Sequence, residues 1–73
     1  MAVSLQEQSR ILPELLPVGL QVATFGAYTN SLKTWFSISD TDTLHGFCTV
    51  EIDTGLADNS EVARAMFISE LTA

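Results

Sequence analysis

Positive charge is nearly absent from this chain. Only three of its 73 residues are Lys or Arg, against nine Asp or Glu, which leaves a formal net charge of -6 and a pI near 4.2. A surface of that sign repels a phosphate backbone instead of displacing counterions from it, so no direct nucleic-acid binding is expected. Charge of either sign is scarce, at 16% of residues, where an ordinary soluble domain carries roughly 25%. Cysteine occurs once, as Cys48. No internal disulfide can form, and a reducing, cytoplasmic location is expected. Met1 to Glu7 carries neither a basic stretch nor an apolar one, so no signal peptide is expected, and no uncharged apolar run approaches the roughly 18 residues of a membrane span. Both prolines, Pro13 and Pro17, fall in the first quarter, and no linker or internal repeat is visible. Residues 1–73 are expected to form one small domain.

Apolar residues, by contrast, are abundant: 47% of the chain, with a mean hydropathy of +0.27. A chain this short buries only about 60% of the surface its unfolded form exposes, so it should be more polar than average. This one is less polar, which also argues against disorder. The surplus apolar surface is therefore expected to face another copy of the chain or a different macromolecule.

The periodicity changes along the sequence. Ser4-Leu5-Gln6-Glu7 matches a capping box and places a helix start near Leu5. Apolar Leu5, Ile11, Leu12, Leu15 and Leu16 give that helix one sticky face and leave Gln6, Glu7, Gln8, Ser9, Arg10 and Glu14 to water. Pro13 lacks the N–H for a bond to Ser9, so the helix should end or kink near Leu12. From Leu20 to Tyr28 the chain is rich in β-branched and aromatic residues, with a bulge or a close backbone contact expected at Gly26. A turn at Thr29-Asn30-Ser31 leads to Leu32–Ser39, where Leu32, Thr34, Phe36 and Ile38 alternate with Lys33, Trp35, Ser37 and Ser39. After Asp40–Thr43, alternation resumes over Gly46–Asp53, with Cys48, Val50 and Ile52 opposite Thr49, Glu51 and Asp53. Asp58 stands three residues before Glu61 in a second capping pattern, so a last helix should run from about Asn59 to Thr72. Its Val62, Ala63, Ala65, Met66, Phe67, Ile68 and Leu71 cover a wider arc than one sheet face needs. The expected fold class is α+β: a helix, a three-stranded antiparallel meander, and a C-terminal helix packed on the sheet.

That order resembles the layout of the double-stranded-RNA-binding domain across nearly the whole chain. The family reads RNA with a basic start to its last helix. The corresponding stretch here is Asn59-Ser60-Glu61-Val62-Ala63-Arg64, with neutral and acidic residues in place of lysines, so the topology alone would carry over.

Several constellations suggest chemistry and then fail on composition. Asp53-Thr54-Gly55 resembles the active-site triplet of the retroviral-type aspartic proteases, but Leu56 replaces a small residue and too little chain follows for the flap and the second half of that fold. Turn chemistry is the expected role. Asp40, Asp42 and Glu51 fall at positions 1, 3 and 12 of an EF-hand loop, yet Leu44 and His45 occupy positions 5 and 6, where a ligand and a glycine belong. His45 and Cys48 are the sole residues of their types, too few for a structural zinc site; core packing is expected for Cys48 and loop exposure for His45. No catalytic set, metal or cofactor is expected, and the protein is not expected to be an enzyme.

The expected partner contacts are of two kinds. Apolar anchors come from the last helix, at Val62, Met66, Phe67 and Leu71, and from Trp35 or Phe36, whichever its strand turns outward. Asp40, Asp42, Glu51, Asp53 and Asp58 supply a face that holds five of the nine acidic residues and steers a basic partner. The leading expectation is a small acidic protein-binding module, a homodimer or the small subunit of a complex. Its sharper version is an inhibitor that occludes or charge-mimics a partner of a nucleic-acid-handling complex, as viruses and mobile elements encode. The alternative is a self-assembling structural subunit.

Overall fold

The computed structural model describes residues 2–73. Helix α1 (Leu5–Leu15) leads into strands β1 (Leu20–Ala27), β2 (Lys33–Asp40) and β3 (Gly46–Asp53), a short 3-10 turn (Thr54–Leu56) and helix α2 (Ser60–Leu71). The strands form an antiparallel sheet in the order β1-β2-β3. Both helices pack on one face of it, α1 nearest β1 and α2 nearest β3. This is the expected α+β architecture.

Phe36, Ile38, Val50 and Ile52 from the sheet meet Ile11 and Leu12 of α1 and Ala63 and Phe67 of α2 in one apolar cluster. Two bulges tune which side chains reach it. Strict alternation after Leu20 and Val22 would put Thr24 inward, but the register shifts between Val22 and Thr24, so that Phe25 pairs with Phe36 and their rings stack at 5.6 Å. A second shift, opposite Ile38 and Ser39, leaves Phe47 as the extra residue of β3. The β1 bulge lies at Ala23, and of the two alternatives expected at Gly26 the close contact is the one found. A Cβ there would sit 2.8 Å from Trp35 Cζ2. Gly26→Ala should cost about 1–3 kcal/mol, because the indole must leave its seat, as a shifted urea midpoint would show; an unchanged midpoint would mean that the indole does not rest on this strand.

Helix α1 does not end at Leu12 but runs through Pro13 to Leu15, and three other local expectations are corrected. The proline forfeits one helical bond, but Ile11, Leu12 and the half-buried Leu15 bury enough apolar surface to hold the last turn in place. Gln8, assigned to water by the helical period, is wholly buried. Cys48 is exposed instead of packed in the core, as are all the residues of β3 from Gly46 to Thr49. The cap of α2 is Asn59, not Asp58: the Asn59 Oδ1 accepts the Val62 N–H at 3.0 Å, and Asn59 has the extended backbone of a capping residue. The cap of α1 is as expected, with the Ser4 hydroxyl accepting from Glu7 N–H at 3.1 Å.

Candidate functional site

The sheet has one bare face. Trp35 lies on it, half-buried over Gly26, between the partner rows of β1 and β3. Across β2 the Tyr28 hydroxyl donates a 2.6 Å bond to Glu51 Oε2. That bond to a carboxylate holds the Tyr28 phenol above its ordinary pKa. Of the two residues expected to compete for the outward position, Trp35 therefore takes it and Phe36 is fully buried. Phe36 and Phe67 lie edge to face at 5.3 Å in the core and cannot reach a partner. Both are removed from the contact set by their burial. Met66 and Leu71 are half-buried, and Val62 stands at the margin of exposure on the outer side of α2.

The acidic residues do not form one face. Asp40 and Asp42 sit at the β2–β3 connection, whereas Asp53 pairs with Lys33 at the opposite end of β2. Those ends are roughly 23 Å apart at about 3.3 Å per residue, well over the Debye length of about 8 Å at physiological salt. Sequence proximity concealed this, because β3 carries the chain from one end of the sheet to the other. Glu51 and Asp53 instead line a cleft of about 490 Å³ between β3 and α2, together with Lys33, Met66, Ser69 and Glu70. Lys33 breaks the continuity of negative charge there.

Local bonding supports the turn assignments. Asp53 Oδ1 accepts from Gly55 N–H at 2.9 Å, so the Asp-Thr-Gly triplet closes a turn with its own backbone. Asp40 Oδ1 accepts from the N–H groups of Thr43 and Asp42, at 3.0 and 2.8 Å. These bonds, Thr43's first, hold the Asp40 carboxyl below its usual pKa and keep it ionised. Among the described residues no group of three or more His, Cys, Asp or Glu side chains is placed to hold a metal ion. No helix of the described residues is long and apolar enough to cross a membrane.

The apolar surplus collects elsewhere. At the end of the molecule where both helices finish, Leu15, Pro17, Leu20, Phe47, Ile68 and Leu71 line a hollow of about 340 Å³. Phe47 is 67% exposed and Ile68 49% exposed, and Val18 is fully exposed on the turn between α1 and β1. The β2–β3 connection, which carries Leu44, is tied to that turn by a 2.9 Å bond from Thr41 N–H to Gly19 C=O. Leu44 is exposed and holds a positive φ of 62°, a conformation that bulky residues rarely adopt. Ile68 was visible in the sequence as part of an overlong apolar arc. Phe47 left a fainter signal: an aromatic that strict alternation puts beside Thr49 and Glu51. Searches with family models, with curated proteins and with solved structures return no match to this chain.

Proposed function

We propose that this chain is a small acidic, non-enzymatic protein-binding module acting in the cytoplasm. The observation that carries this reading is the apolar end, where Phe47 and Ile68 stay exposed in the lining of a hollow and Val18 and Leu44 are exposed on the connections that lead to β1 and β3, although the core beneath is closed. Exposed apolar side chains gathered beside a concavity suit docking better than they suit an isolated particle in water. The single exposed thiol of Cys48 fits a reducing compartment. Inhibition by occlusion is one use of such a surface. Charge mimicry receives less support, because the acids are divided between the two ends of the sheet.

The alternative, self-assembly as a structural subunit, is favoured by a separate observation. Strand β3 is an unpaired edge whose residues Gly46 to Thr49 are exposed, and an open edge can pair with a second copy.

Affinity capture from host-cell lysate separates these readings when the unaltered chain is run beside Phe47→Ser/Ile68→Ser. The module reading expects one protein, different from the chain, retained by the former and lost with the latter, at similar melting temperatures. Identical capture by both would remove the apolar end from the account. Retention of the chain's own copies alone would favour self-assembly.

A further inference from the structure

The charge around the apolar hollow restricts what can fill it. Leu20, which lines the hollow, is the cross-strand partner of Asp40, and Asp42 follows in the same connection. Helices α1 and α2 both contribute their last turns to the hollow, through Leu15 and Leu71, and neither has a basic residue in that turn. Each helix end carries a partial negative charge of about half a unit from its aligned peptide dipoles. Arg64 reaches the last turn of α1 but is neutralised there by Glu14 at 2.9 Å, while Arg10 lies 3.9 Å from Glu7 and Lys33 belongs to the far end of β2.

Building on the protein-binding reading above, we infer that this end docks a basic amphipathic segment of a partner protein. Its apolar side chains enter the hollow between Phe47, Ile68 and Leu71, and its flanking Lys or Arg meets Asp40, Asp42 and the carbonyl ends of the two helices. A second copy of the chain is disfavoured at this place. A two-fold contact here would bring the same carboxylates and the same helix ends together, and Arg64 is already occupied by Glu14. An acidic or neutral segment would leave Asp40 and Asp42 without a counter-charge. Leu44, left-handed and exposed, adds an apolar side chain to the same connection that carries Asp42.

A phage-displayed library of random peptides, selected on the intact chain at low ionic strength, tests the inference. The expected consensus places one or two Leu, Ile, Met or Phe within a helical turn of Lys or Arg. Its affinity should fall about tenfold or more with Phe47→Ser/Ile68→Ser and several-fold with Asp40→Asn/Asp42→Asn. The asparagine at 40 retains an oxygen for the loop's N–H groups, and the other three positions are exposed, so folding is kept; thermal melts of each variant check this. A consensus without cations, or one indifferent to the two aspartates, overturns the inference. A basic consensus that depends on Trp35 and not on Phe47 or Ile68 overturns it while leaving the protein-binding reading in place. Self-association abolished by Ile68→Ser would have the same effect, by showing that the occupant is another copy. A library from which nothing is retained, by a chain that stays monomeric at millimolar concentration, defeats both.

Discussion

Phe67→Ala should remove about 3–5 kcal/mol of stability, the cost of deleting a large buried aromatic and leaving a cavity. Phe67 has no exposed surface and points edge-on into the ring of Phe36, which itself stacks on Phe25. That chain of three rings ties α2 to the central and outer strands, so its loss acts on the whole particle. Native domains have only about 5–15 kcal/mol in total, and one of this length sits toward the lower end. The variant is therefore expected to be largely unfolded at physiological temperature. The comparison is Phe47→Ala, a change of the same chemistry at a 67% exposed position, which should move stability by no more than about 0.5 kcal/mol. Urea titration followed by circular dichroism measures both. A loss below about 1 kcal/mol for Phe67→Ala would return that side chain to the surface and to the set of partner contacts.

Gln8→Leu is the second large effect, at about 2–4 kcal/mol. The Gln8 amide nitrogen donates to Val3 C=O at 3.0 Å and to Thr54 Oγ1 at 3.4 Å, and its carbonyl oxygen accepts from the Thr34 hydroxyl at 2.7 Å. One buried side chain thus joins α1, the segment before it, the central strand and the turn after β3. Among the described residues no buried side-chain polar atom lacks a partner, so the network is complete as it stands. Leucine fills the space but strands the Val3 carbonyl and the Thr34 hydroxyl away from water, each at about 1–3 kcal/mol. Removing a stranded partner as well should recover part of the loss. Gln8→Leu combined with Thr34→Val is therefore expected to be more stable than the sum of the single changes predicts. Strictly additive losses would show that the two side chains do not share a bond.

The elements were legible in the sequence wherever one local force dominated. The period-2 alternation of β2 and the capping serine of α1 both specify structure within a few residues, and both are found. Phe36 and Trp35 show the limit: alternation assigns them to opposite faces but does not say which face the helices cover. That choice belongs to the packing of α1 and α2 together. Gln8 was misassigned because helical periodicity sorts residues by polarity, while a buried amide is tolerated when three elements converge to satisfy it. The acidic face failed for a geometric reason, since Asp40 and Asp53 are near in sequence and a full strand length apart in space. The bulge at Phe47 is a two-strand property, invisible to any single-strand pattern, and it helps to place an aromatic beside Ile68 and Leu71.

Nuclear magnetic resonance with a soluble paramagnetic agent, at a concentration where sedimentation gives a single chain, reads side-chain accessibility residue by residue. Strong broadening is predicted for Val18, Leu44, Phe47 and Ile68, with little for Gln8, Phe36 and Phe67. If those first four resonances stayed sharp in the monomer, the apolar excess would be folded away inside, and nothing would remain for a partner to grip.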